Sequence, residues 1–225
     1  MMSHDIGANL PVNAEKLTYN TIQGHHHGVF GIAYHSDKKT LNWSMGTGCL
    51  INQKLPAFRY GRGRQRKRPV LGCGGLLGSR GNTLIISDLH IPYHHHQAFD
   101  FLFELNHIYK FDRVLCVGDL YDHHQSSFHT SEPDALSAED EYQEAIKHAA
   151  VLQGIFPKME ITPGNHCSIP QRKAKEAGLP LSMLNDFNAL YNTKATWNWH
   201  DGEYCFDTKD AKPVLFPMRL DERGD

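Results

Sequence analysis

The chain lacks what would tie it to a membrane, a disulfide framework or a polyanion. It has no apolar run of transmembrane length and no charged-then-apolar leader, so a cytoplasmic location and no membrane partner are expected. Its five cysteines, Cys49, Cys73, Cys116, Cys167 and Cys205, are odd in number and scattered, with no C-x-x-C pair. That excludes a disulfide scaffold and a zinc ribbon, and it fits a reducing compartment. A formal charge of −2 gives no general attraction for nucleic acid, so any phosphate binding must be local. There is no P-loop, no dinucleotide fingerprint and no Ser/His/Asp arrangement, which removes several common enzyme classes.

What the chain has in excess is histidine, 16 residues among 225, many of them clustered. Neutral imidazole is the commonest side-chain metal ligand, so the excess raises the expectation of a metal site. At this length the chain can bury a full core and form one α/β domain over residues 1–225.

An amphipathic stretch, Asn9–Leu17, leads into an extended segment, Thr18–Gln23, which meets Gly24-His25-His26-His27. Strand-like runs Val29–Tyr34 and Thr40–Ser44 flank a polar turn. A basic run follows at residues 59–68, then a glycine-rich piece, Gly72–Gly81; together, residues 59–81 are the best linker candidate. Beyond it strands and helices alternate. Thr83–Ser87, Arg113–Val117 and Met159–Thr162 suit buried strands, whereas Gln97–Tyr109 and Asp134–Phe156 carry apolar residues at helical spacing. Trp197–Phe206 and Pro213–Phe216 read as further β structure, with Trp197 and Trp199 as core residues. The alternation predicts an α/β architecture.

Three polar motifs each follow a predicted strand: Ser87-Asp88-Leu89-His90, Gly118-Asp119-Leu120-Tyr121-Asp122 and Pro163-Gly164-Asn165-His166. Ligand sites in α/β sheets form at the carboxyl ends of strands, so the three can converge. Their Asp, His and Asn donors suit divalent Mn, Fe, Zn or Mg. On an extended strand end, Asp88 and His90 would point to the same side. Each motif alone is more often a surface turn; the three together, in this order, are not. His94-His95-His96 is read as a solvated loop before a helix, with lining of the site entrance as the alternative.

These motifs resemble those of the calcineurin-like metallophosphoesterases, which carry D-x-H, G-D-x-x-D, G-N-H followed by an acid, a lone His and G-H-x-H. Residues 83–166 match the first three, but downstream only His200 remains. Gly24-His25-His26-His27 supplies G-H-x-H, and Ser3-His4-Asp5 resembles the lone-His motif. Read as 82–225 followed by 1–58, with residues 59–81 joining the former termini, the pattern is complete. The chain is thus expected to be a circular permutant, and in motif style it resembles phosphoesterases encoded by bacteriophages.

The resemblance implies two facing mixed β-sheets flanked by helices, and two divalent metals, Mn²⁺ first, with Fe, Zn, Ni or Mg as alternatives. Asp88, His90 and His27 would hold one metal; Asn165, His25 and His4 the other; Asp119 would bridge them. His166 would stay off the metals, stabilise the transferring phosphoryl group and protonate the leaving oxygen, with Asp122 orienting a ligand histidine. Cys167 stands in place of the family's acid. His123-His124 follows G-D-x-x-D where phosphoprotein phosphatases carry Arg, so the guanidinium clamp is missing. A phosphodiester of a nucleotide or nucleic acid is therefore the expected substrate. The alternatives are a phosphomonoesterase or protein phosphatase, or a non-catalytic binding module of the same fold. Arg59, Arg62, Arg64, Arg66, Lys67 and Arg68 are the candidate nucleic-acid contacts, a solvated linker face being the competing reading. The oligomeric state is left open.

Overall fold

Runs that are apolar throughout have only one stable place, the middle of a sheet covered on both faces. In the computed structural model, which describes residues 1–61, 68–127, 134–208 and 210–219, with the side chains of 59–61 excepted, that is where they lie. The elements are β1 (Met2–Ser3), α1 (Leu10–Lys16), β2 (Thr21–Gln23), β3 (Phe30–Ser36), β4 (Leu41–Thr47), β5 (Gly72–Leu77), β6 (Thr83–Ile86), α2 (Ala98–Tyr109) and β7 (Arg113–Val117). They continue as α3 (Ala138–Ile155), β8 (Met159–Thr162), α4 (Ile169–Glu176), α5 (Phe187–Leu190), β9 (Trp197–Trp199), β10 (Glu203–Tyr204) and β11 (Lys212–Pro217).

The strands form two mixed sheets. One has five strands in the order β10-β1-β2-β4-β3; the other has six in the order β11-β5-β6-β7-β8-β9. In the second sheet β6, β7, β8 and β9 run parallel, with β5 antiparallel to β6. Met2, Ile22, Trp43 and Met45 of the first sheet pack on Leu76, Ile85, Leu115 and Val117 of the second. The second sheet's other face buries Leu84, Ile86, Val114 and Cys116 with Leu102 of α2, Ala149 and Leu152 of α3, and Trp197. Trp199 is half-buried and stacks on Phe187. The architecture is therefore the α/β sandwich of two mixed sheets with flanking helices. Among the described residues, no helix is long and apolar enough to cross a membrane.

Helix boundaries follow local chemistry. Ser137 caps α3 by accepting from the Asp140 amide at 3.1 Å, and Glu139, Asp140 and Glu141 place negative charge in the first turn. The long helix thus begins four residues later than its periodicity predicts, and Leu136 lies outside it.

Two expectations need correction. The glycine-rich piece proposed as linker is, from Gly72 to Leu77, the strand β5, paired with both β6 and β11. Its glycines permit close approach: a Cβ on Gly72 would lie 2.7 Å from the Phe216 carbonyl oxygen and 2.7 Å from the Phe30 ring. Gly72→Ala is accordingly expected to destabilise the protein by about 1–3 kcal/mol through overpacking, read as a lower denaturation midpoint. The second correction concerns the His94-His95-His96 run. Only His96 is exposed; His94 and His95 are buried. Backbone bonding draws them inward: the His95 amide donates to Leu50 O at 2.7 Å, and His94 stacks on Phe99.

Candidate metal centre

The two sheets meet where β1 and β2 end on one side and β6, β7 and β8 end on the other. His4 follows β1 and His25–His27 follow β2, while the three polar motifs follow the second sheet's parallel strands. Gly24 makes the junction possible, because a Cβ there would lie 2.5 Å from Asp88 Oδ2 and 2.7 Å from the Val117 carbonyl oxygen. The His25 amide crosses between the sheets to donate to Asp88 Oδ2 at 2.9 Å. Behind it, Thr47 Oγ1 and Ser87 Oγ share a buried hydrogen bond at 2.8 Å.

The motif backbones are not extended. Asp88, His90, Asp119, His25 and His123 all have left-handed φ, of 49°, 51°, 38°, 60° and 58°. Non-glycine residues adopt this region at a cost, and such strain concentrates at functional sites. Asp88 and His90 therefore converge through a tight turn and not through strand alternation, which corrects the expectation from spacing.

Two sets of donor atoms result, each gathered within 4.8 Å: His27 with Asp88 and His90, and His4 with His25 and Asp119. A third grouping joins His90, Asp119 and His166. His4 Nε2 lies 3.3 Å from Asp88 Oδ1 and 3.2 Å from Asp119 Oδ2, and His27 Nε2 lies 3.4 Å from Asp88 Oδ1. Asp88 and Asp119 are buried, which is tolerable for carboxylates only with opposite charge close by. Asn165 is exposed in the turn after β8, its carbonyl accepting from Arg172 Nη2 at 2.8 Å. Asp122 Oδ1 is 2.5 Å from His90 Nδ1 and 2.9 Å from His166 Nδ1, while the His166 amide donates to Asp119 Oδ1 at 2.8 Å.

The electrostatics follow from this packing. Burial alone would lower the His4 pKa, but Asp119 and Asp88 outweigh it and raise the value to about 10. His90 is also opposed by burial and raised to about 10, by Asp122 first and then Asp88 and Asp119. Burial would raise the Asp119 carboxyl, yet His4, His90 and His166 bring it down to about 2. His25 is lowered, by burial and then by His4.

The residues fit divalent cations. His90 Nε2 is buried and has no hydrogen-bond partner among the described residues; it faces Asp88 Oδ1 at 3.9 Å and Asp119 Oδ2 at 3.8 Å. A nitrogen aimed between two carboxylates with neither in bonding range is the donor pattern of a cation site. Its N and O atoms suit borderline and hard divalent metals.

Other residues were not singled out from sequence. Asp5 Oδ1 lies 3.1 Å from His26 Nε2, and Asp5 Oδ2 lies 3.8 Å from His25 Nε2; its adjacency to His4 was the available signal. Phe58 packs edge-on against His90 at 5.4 Å between centroids, and no sequence feature marks it. Cys167, in the acid's place, is buried, and its Sγ accepts from the Tyr121 amide at 3.5 Å. Burial pushes its thiol up to about 12, so it offers no thiolate. His200 pairs with Glu160 at 2.6 Å, outside these donor groupings. Of the basic run, Arg68 is exposed; Arg62, Arg64, Arg66, Lys67 and the side chain of Arg59 fall outside the described residues.

A family model described as calcineurin-like phosphoesterase matches residues 81–217. No curated protein and no solved structure matches the chain.

Proposed function

Because the chain belongs to the calcineurin-like phosphoesterase family, whose members are metal-dependent hydrolases, we propose that it cleaves phosphodiesters at a two-cation site. The observation that carries this reading is the pair of donor sets, His27–Asp88–His90 and His4–His25–Asp119, built from parts of the chain far apart in sequence. The first set would hold one cation. The second, joined by Asn165, would hold the other, with Asp119 between them. Bound there, divalent cations supply a hydroxide nucleophile at neutral pH and offset the phosphate's charge.

The chain's own residues do the rest. His166 Nδ1 is committed to Asp122, to its carboxylate at 2.9 Å and its carbonyl oxygen at 3.0 Å. That leaves Nε2 to face the substrate. As water adds to phosphorus and the ester P–O bond breaks, His166 gives its proton to the leaving oxygen, and water's proton returns to solvent. Asp122 also fixes the His90 ring through Nδ1, leaving Nε2 as the ligand atom. The diester preference is supported by His123, which stands where an arginine would clamp a monoester's extra charge.

We further read the chain as circularly permuted. The family match begins at residue 81, yet His4, His25 and His27 reach the same cluster as Asp88 and Asp119.

The test combines stoichiometry with turnover. Loaded wild-type protein should hold two Mn²⁺ and hydrolyse bis(p-nitrophenyl) phosphate faster than p-nitrophenyl phosphate. His4→Ala should weaken one of the two ions by about 10–100-fold or more in a titration followed by metal analysis, as losing a ligand costs at least as much as losing its support. One ion in the wild type, or two held equally well in the variant, would refute the assignment.

A further inference from the structure

Three acids open α3, and they do different things. Glu139 and Asp140 are exposed and complement the helix N-terminus, whereas Glu141 is only 5% exposed. A buried carboxylate is costly unless its oxygens are satisfied. Here both are: Oε1 accepts from the His124 amide at 2.6 Å and Oε2 from the Gln125 amide at 3.0 Å. These are the leading amides of a short 3-10 turn, His124–Ser126, which the turn itself cannot satisfy. Glu141 therefore grips the chain just past Asp122, from a helix anchored in the core by Ala145, Ala149 and Leu152.

What that grip fixes is Asp122. Its Oδ1 bonds His90 Nδ1 and lies 2.9 Å from His166 Nδ1, while its Oδ2 is buried with no hydrogen-bond partner among the described residues. The carboxylate is thus aimed at the two imidazoles by its own backbone. On one side the Asp122 amide donates to Ile91 O at 3.2 Å. On the other comes His123, with a left-handed φ of 58°. Such a residue persists only where its surroundings hold it, and Glu141 holds the two residues that follow.

We propose that Glu141 is a positioning residue for the hydrolysis: its grip on the turn after Asp122 keeps the Asp122 carboxylate on His166 Nδ1, and so aims His166 Nε2 at the leaving oxygen. The proposal rests on the phosphodiesterase reading and adds a residue to its proton transfer. Because Glu141 acts through the proton donor, its loss matters most where the leaving group needs a proton. An alcohol does, whereas p-nitrophenolate leaves as a stable anion. Loosening His90 or the cations would instead slow both kinds of substrate alike.

Two variants release the grip by different amounts. Glu141→Gln keeps one accepting oxygen but turns an NH2 group toward the other amide, and Glu141→Met keeps the length without any strong acceptor. Each is assayed with saturating Mn²⁺ on thymidylyl-thymidine and on the p-nitrophenyl ester of thymidylate, which share the thymidylyl group and differ in the leaving group. The kcat ratio of aryl ester over dinucleotide should rise about 10-fold in the Gln variant and about 100-fold in the Met variant. Hydrogen exchange should quicken in step, at one of the His124 and Gln125 amides with Gln and at both with Met. The near-isosteric Gln variant decides the matter even if the Met variant fails to fold. An unchanged ratio, or faster exchange with equal losses on the two substrates, would overturn the role and leave the phosphodiesterase reading standing. Wild-type protein that turns over neither diester would refute that reading, and the role of Glu141 with it.

Discussion

In Asp119→Asn, hydrolysis of a chromogenic phosphodiester with Mn²⁺ is expected to fall by about a thousandfold or more, with the fold intact. Asp119 stands in two of the donor groupings and touches His4 and His166. The amide removes the negative charge while keeping the shape. It also keeps the backbone, because Asn is among the few residues that accept a left-handed φ such as the 38° found here. The His166 amide can still donate to the Asn side-chain oxygen. Circular dichroism should therefore match the wild type. Unchanged turnover would end the two-cation proposal.

The second large effect is a pH dependence that chelation exposes. With cations removed, His4 and His90 each have pKa values near 10 against 6.5 when unperturbed. A histidine raised in this way stabilises the fold below its unfolded value, and that contribution is lost as pH climbs through the folded one. Asp119 works in the opposite sense. Its carboxyl sits at about 2 against 3.8, so its contribution is present above the unfolded value and is lost as pH falls through about 2. The chelated protein should be most stable near pH 6.5 and lose a few kcal/mol on the way to pH 10, while below 6.5 the buried His94 and half-buried His123, lowered to about 3 and about 4, take stability away as they are forced to protonate. Cations compete with protons for the same nitrogens, so Mn²⁺ should restore stability at pH 8 and do little at pH 5. Melting curves with and without EDTA across this range test it. A flat chelated profile between pH 6.5 and 9.5 would mean that the carboxylates do not hold these imidazoles.

Much of the sandwich was legible because its inner strands are apolar throughout. Arg113–Val117 and Met159–Thr162 have the boundaries that their sequences suggest. The strand β5 was not legible, because composition marks Gly72–Leu77 as linker whereas packing uses the same glycines for close approach to Phe30 and Phe216. The helix α4 also went unmarked: its residues are mostly polar, and only Ile169 and Ala174 are buried. At the site, the identities of the clustered histidines and aspartates were visible in the motifs. The geometry was not, since nothing in Asp88-Leu89-His90 announces two left-handed residues. His94 and His95 were misjudged for a related reason. Burial of a polar run depends on the Leu50 and Phe99 contacts, which lie far away or in the next element.

The division of donors between the two sheets has a consequence for biogenesis. His4, His25 and His27 hang from the five-stranded layer, whereas Asp88, His90, Asp119 and His166 hang from the six-stranded one. Any cation that grips both groups is also a clasp between layers. Translation delivers the histidine layer first, before Asp88 and Asp119, and its strand β10 is not made until Glu203–Tyr204. The last of these donors, His166, follows β8, so a cation could grip the complete set only after that strand has been made.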